Sequence, residues 1–186
     1  MKKYFVVLLI LISTIFLSGY KRPDKFHIDA ITNASRHNVL GTEYVRERCY
    51  YAAIQEFKIA ISLNPDSQAS SVYYNNLGEV YMKLGFPVEA QDCFERALKL
   101  YGLNFLYYQN LAKCYKQMKI EQKMISRYKI SKNPLDKVML GLLYAESGQT
   151  RMGIMTLDDF CMREPDLILT HGVRNYLRDL SKRLFA

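Results

Sequence analysis

The chain has 186 residues and carries 26 Lys and Arg against 18 Asp and Glu, a net charge of +8 with histidine neutral. Hydrophobic residues make up 49% and charged residues 24%, a globular balance that excludes a disordered or collagen-like chain. Both signs of charge are interspersed without a long Lys/Arg run, which argues against a nucleic-acid partner, and three histidines with four cysteines leave little material for catalysis.

Met1-Lys2-Lys3 is a short positive start, and Tyr4 through Gly19 carries no charge around the apolar run FVVLLILISTIFL. A basic start before an apolar run predicts an export signal, so residues 1–19 are expected to be a signal peptide or membrane anchor. Leu17-Ser18-Gly19 resembles the residues before the lipidated cysteine of bacterial lipoprotein signals, but Tyr20 stands where that cysteine would be. A tyrosine hydroxyl cannot form the thioether. Three readings stay open: a lipoprotein-type signal that has lost its cysteine, a cleaved signal with a poorly matching site, and an uncleaved anchor. The 17 residues Tyr4–Tyr20 reach the lower limit for spanning a ~30 Å hydrocarbon core. Lys21, Arg22 and Lys25 compete with Lys2 and Lys3 for the cytoplasmic side. Export to a bacterial cell envelope, either periplasmic or anchored through the N-terminal segment, is the expectation.

Residues 20–33 lack sustained periodicity and contain Pro23, which predicts a tether. A large residue, a small one and a tyrosine three further on then recur four times: Leu40-Gly41-Tyr44, Leu77-Gly78-Tyr81, Leu111-Ala112-Tyr115 and Leu140-Gly141-Tyr144. Intervals between the small residues are 37, 34 and 29. Twelve residues after each come Ala53, Ala90, Met124 and Gly153, then Phe57, Phe94, Tyr128 and Leu157 four later.

This phased pattern resembles the tetratricopeptide repeat, a helix–turn–helix unit of ~34 residues with small side chains where its two helices cross. The resemblance covers residues 34–165 and implies an all-α solenoid, a right-handed superhelix of about four helix pairs. Gly41 facing Ala53, Gly78 facing Ala90 and Gly141 facing Gly153 would let paired helices approach closely while the aromatics plug into the next helix. Gly85 with Pro87, and Gly148, mark turns within the second and fourth units. The first unit has Arg46-Glu47-Arg48-Cys49 where a turn glycine is usual. The third has the bulky Met124 at its crossing and the short interval after it, so a bend is expected there. Beyond Pro165, Val173, Tyr176, Leu177, Leu180 and Leu184 share one helical face, which predicts a capping helix over 166–186.

No catalytic, metal or cofactor grouping is expected. His27, His37 and His171 are scattered, and Cys49, Cys93, Cys114 and Cys161 show no CxxC spacing. The cysteines read as small buried hydrophobes, although export would also permit a Cys93–Cys114 disulfide. Asp158 and Asp159 are adjacent on a predicted helix and point in different directions, so they form no dyad. Neither an enzyme nor a small-molecule substrate is expected.

The resemblance implies that the first helix of each unit lines a concave groove. The inward positions are Thr42, Val45 and Arg46; Glu79, Met82 and Lys83; Lys113, Lys116 and Gln117; and Leu142, Ala145 and Glu146. Asn38, Asn75, Gln109 and Val138 stand three residues before the small residues. Asn38, Arg46, Asn75, Glu79, Lys83, Gln109, Lys113 and Lys116 are therefore the candidate partner-binding residues, amides for a peptide backbone and cations for its acidic groups. The expected function is a non-enzymatic scaffold that holds a protein or peptide partner, in the manner of envelope proteins that assist pilus or secretion assembly. The alternative is a membrane-associated organiser, anchored at its N-terminus and resting the basic side of its last helix (Arg174, Arg178, Lys182, Arg183) on anionic lipid.

Overall fold

The structure, a computed structural model, describes residues 29–185 and, within the last helix, side chains only as far as Lys182. The proposed signal or anchor, Tyr20, His27 and the side chains of Arg183 and Leu184 lie outside the described residues. Among those described there are nine helices and no strand: α1 (Ala30–Arg46), α2 (Tyr50–Leu63), α3 (Gln68–Leu84), α4 (Pro87–Leu100), α5 (Phe105–Gln117), α6 (Glu121–Lys129), α7 (Asp136–Glu146), α8 (Thr150–Arg163) and α9 (Ile168–Phe185).

Helix α1 starts earlier than the sequence pattern suggests, and residues 30–33 belong to it rather than to a tether. The reason is local. Asp29 accepts the Ile31 and Thr32 backbone N–H groups at 3.1 and 3.2 Å, satisfying donors that would otherwise be unpaired at a helix start.

Each helix pair turns through one residue in the left-handed backbone region: Arg48 (φ 60°), Gly85 (φ 81°), Lys119 (φ 58°) and Gly148 (φ 83°). The next N–H in each case reaches back to the carbonyl of the repeat tyrosine: Cys49 to Tyr44 (2.8 Å), Phe86 to Tyr81 (2.9 Å), Ile120 to Tyr115 (3.0 Å) and Gln149 to Tyr144 (2.8 Å). This closes orphan carbonyls at the helix end. The first and third units make the same turn without glycine.

Small residues set the separation of the paired helices. A Cβ on Gly41 would lie 2.6 Å from the Phe57 ring, and one on Gly78 would lie 2.6 Å from the Phe94 ring. The aromatics thus rest on the glycine of their own pair as well as joining the core toward the next helix. In the fourth pair Leu157 takes that place over Gly141, and a Cβ on Gly153 would lie 2.9 Å from the Gly141 carbonyl. The third pair differs: α5 and α6 meet at few positions, with Met124 buried where the other units have alanine or glycine.

Shortening of that unit has a second effect. Helix α6 has nine residues against fourteen in α2, α4 and α8. Helix α7 begins five residues before Gly141, whereas α3 begins ten before Gly78. Over the missing turns α9 reaches across to α5: Tyr176 and Phe105 have ring centroids 5.6 Å apart, and a Cβ on Gly172 would meet Phe105 Cβ at 2.6 Å. Helix α9 also starts as α3 does, since Thr170 Oγ1 donates to the Glu164 carbonyl and Ser70 Oγ to that of Asn64. In this it resembles the first helix of a further unit. Arg178, 37 residues beyond Gly141, stands exposed at the next small-residue station.

Candidate partner-binding groove

Successive first helices α1, α3, α5 and α7 touch one another, while α2, α4, α6 and α8 are held apart among the described residues. Elements on the shorter radius of a curved stack are the ones that meet, so the first helices form the inner side.

That side is cross-linked by amides. Asn76 Nδ2 donates to Asn38 Oδ1 at 2.9 Å, tying α3 to α1. One unit on, Asn110 Nδ2 donates to Asn75 Oδ1 (2.9 Å) and to Glu79 Oε1 (2.8 Å), tying α5 to α3. Asn75 Nδ2 donates to the same Glu79 oxygen at 2.9 Å and is itself buried. Asn38, Asn75 and Glu79 thus hold the helices in register, as satisfied polar networks do. Neither Asn76 nor Asn110 stands out in the sequence as a single residue. Both come two positions before the small residue of their unit, and comparing that station between units is the signal that finds them.

The candidate cations divide. Lys116 Nζ pairs with Glu146 Oε2 at 3.1 Å, linking α5 to α7, and Lys83 Nζ lies 5.9 Å from the centre of the Tyr50 ring. Arg46 and Lys113 are exposed and form no ion pair among the described residues. Gln109 is half-buried. A cavity of about 100 Å³ opens between α1 and α3, with Phe57 and Val80 at its apolar end and Thr42, Asn76 and Glu79 at its polar one. In the fourth unit Val138 and Leu142 are buried in the core, so they offer no hydrophobic anchor to a partner.

Other titratable groups have structural partners. His37 is not a stray surface residue: its Nδ1 lies 2.6 Å from Glu56 Oε2 and joins α1 to α2. Asp159 receives Lys137 Nζ at 2.5 Å and Arg163 Nε at 2.8 Å, and these two hydrogen bonds hold its carboxyl below the usual range. All four cysteines are free thiols. Cys93, Cys114 and Cys161 are buried as expected, whereas Cys49 is exposed because it precedes α2 at the turn rather than facing the core. Among the described residues, no three or more His, Cys, Asp or Glu gather as metal ligands would, and no helix is long and apolar enough to cross a membrane.

Residues 71–104, covering α3 from its fourth residue, the turn at Gly85 and α4, match the family model described as a tetratricopeptide repeat. The chain is similar in fold to a tetratricopeptide repeat protein from Parabacteroides merdae ATCC 43184, with a TM-score of 0.52, 16% identity, and coverage of 82% of this chain and 61% of that one. It is also similar to PilF of Pseudomonas aeruginosa, with a TM-score of 0.51, 16% identity, and coverage of 80% and 68%. A third similar structure is the first tetratricopeptide domain of Spaghetti (RPAP3) bound to an HSP90 peptide, at a TM-score of 0.48, 15% identity, and coverage of 87% and 99%. No curated protein matches the chain. The fold is an all-α tetratricopeptide-type solenoid.

Proposed function

We propose that this chain is a non-enzymatic scaffold that binds an acidic, extended segment of a partner protein along the inner side of its first helices, at a bacterial cell envelope. The observation that carries the reading is the surplus of unengaged positive charge on that side. Arg46 and Lys113 have no acidic partner among the described residues, while Glu79 and Glu146 are taken up by Asn75, Asn110 and Lys116. A segment crossing successive helices with its carboxylates toward those cations would complement the surface. The amide cross-links keep the spacing between the cations fixed, so little ordering is left for the moment of binding.

The leader-like residues 1–19 support the envelope assignment. Assistance in pilus or secretion-channel assembly is the narrower proposal, and it rests on the joining of such a leader to a repeat array. Affinity capture from envelope extracts, with the wild-type chain and an Arg46→Glu/Lys113→Glu variant side by side, tests it. The wild type should return a pilus or secretion component that the variant loses. Recovery of cytosolic proteins alone, or equal recovery by the variant, would reject the proposal.

One observation favours the membrane-organiser reading as a second possibility: Arg174, Arg178 and Lys182 are exposed four residues apart along one stripe of α9. Salt-sensitive flotation with anionic vesicles is its test, and absence of binding removes it.

A further inference from the structure

On the side of α5 turned away from Lys113, the shortness of the third unit leaves a space. Helix α6 stops at Lys129 after nine residues, and the turns that would have continued over α4 and α5 are missing. A cavity of about 310 Å³ lies there between α4, α5, α6 and the start of α7. Its size is at the low end of the ~300–1,000 Å³ typical of small-ligand sites.

The walls are of two kinds. Leu98, Leu111, Leu135 and Met139 supply apolar surface, and Tyr108 and Tyr128 supply ring surface. Glu95 and Asp136 supply negative charge, while Lys99, also at the lining, forms no ion pair with either of them.

Both acids are held in place from one side. Glu95 Oε1 accepts from Gln91 Nε2 at 2.7 Å and from the Tyr115 hydroxyl at 3.0 Å. Asp136 Oδ2 accepts from Ser131 Oγ at 2.5 Å. Each carboxylate therefore keeps one oxygen with no hydrogen-bond partner among the described residues. The Tyr108 hydroxyl is engaged with the Gly102 carbonyl at 2.9 Å. Burial raises the pKa values of Tyr108 and Tyr128; at Tyr108 the Asp136 charge adds to it, and at Tyr128 a hydrogen bond with Tyr115 works against it.

A ligand that complements the net charge and the apolar surface of this lining has a positive head and an aliphatic stem. Two carboxylates against the one ammonium of Lys99 leave the lining net negative, which attracts a cation, and the leucines and methionine take methylene groups. An anion would be repelled. We infer that this cavity binds a primary ammonium group on an aliphatic stem, with the head between Glu95 and Asp136 and the stem against Leu111 and Met139. The ammonium group belongs to a free diamine or to a lysine side chain of a protein docked on this side. The site is separate from the inner groove and does not depend on what that groove binds.

The test uses the full chain and two probes, 1,5-diaminopentane and N-acetyl-lysine methylamide, with 1-pentanol as neutral control, followed by methyl NMR. At least one amine should bind saturably with shifts at Leu111, Leu135 and Met139. Its affinity should fall by about tenfold or more in the Glu95→Gln/Asp136→Asn variant. These replacements keep an acceptor for Tyr115 and Ser131, and a thermal melt checks that the variant folds. As a second variant, Leu135→Trp should block binding by filling the space. Saturation by the diamine alone or by the lysine amide alone identifies the source and supports the site. Lack of saturable binding by either amine, equal binding by pentanol, or unweakened binding in the charge-neutral variant overturns it.

Discussion

A methyl group on Gly41 would sit 2.6 Å from Cε1 of the Phe57 ring, and that ring is only 1% exposed. The ring is almost wholly buried, with only the small cavity between α1 and α3 beside it, so it has little room to relieve the overlap. Gly41→Ala gains about 1 kcal/mol of helix propensity but faces an overpacking cost of typically ~1–3 kcal/mol. We expect a net loss of about 1 kcal/mol or more, read as a lower urea midpoint with unchanged slope. Replacing Phe57 by Leu in the same chain should recover part of it, because the two substitutions share one contact. Wild-type stability in Gly41→Ala would show that close approach of α1 and α2 is not limited by this pair.

The turns give the opposite kind of glycine. Nothing lies within 4 Å of a Cβ added at Gly85 or Gly148, yet their φ angles of 81° and 83° disfavour any side chain. Gly85→Ala should therefore cost about 1 kcal/mol through backbone conformation alone. Arg48 and Lys119 already bear that strain at φ 60° and 58°. Arg48→Gly and Lys119→Gly should raise stability by a few tenths to about 1 kcal/mol, the relief being partly offset by the greater freedom of glycine in the unfolded chain. Thermal melts of the three single variants settle the signs.

These two pairings also mark what could be read in the residues beforehand. The recurrence of Leu-Gly-x-x-Tyr at 40–44, 77–81 and 140–144 is a local pattern, and a small residue has one physical use at a helix crossing, so the solenoid was legible. The start of α1 was not, because a single capping carboxylate, Asp29, decides it and leaves no periodic trace. The shortening of the third unit could be placed from the 29-residue interval before Gly141. Contact of Tyr176 with Phe105 could not, since it depends on which atoms fill the space over α7. In the groove, register within a unit gives the positions expected to face inward, yet Val138 and Leu142 at those positions on α7 lie in the core. Asn110, which bonds both Asn75 and Glu79, and Glu146, which pairs with Lys116, lie in other units, and phase along one helix carries no information about them.

Buried thiols give a pH dependence with a definite sign. Burial raises Cys93 from its ordinary 9.0 to about 12 and Cys114 from 9.0 to about 11. Below pH 9 both thiols are neutral in the folded and unfolded chains, so they contribute no slope. Above it the unfolded chain loses protons that the folded chain retains, and stability falls as pH rises, by up to ~1.4 kcal/mol per unit for each thiol. The decline from these groups ends near their folded values. Urea midpoints from about pH 8 to about pH 11 should show the fall, and Cys93→Ala should make it shallower. In the native chain Cys49 alone should react quickly with a thiol reagent, as the other three become accessible only on opening. Rapid reaction of Cys93 at neutral pH would contradict its burial.

Lys113 and Lys116 stand three residues apart on α5, but only Lys116 has an acidic neighbour, Glu146 Oε2 at 3.1 Å. The Lys116 side chain is 54% exposed and that of Glu146 is 21% exposed, so the pair is well screened and worth ~0.2–1 kcal/mol by double-mutant cycle. Lys113→Ala should leave stability within about 0.5 kcal/mol, since it removes an exposed side chain with no ion-pair partner. It should nevertheless weaken an acidic partner and flatten the salt dependence of that binding. Lys116→Ala should do the reverse in part, lowering stability slightly while freeing Glu146 to repel the partner. The decisive comparison is Lys116→Ala with Lys116→Ala/Glu146→Ala. If Lys116 acts only to neutralise Glu146, removing both restores the affinity that removing the lysine alone reduces. Affinity that stays low in the double variant would mean that Lys116 meets the partner directly.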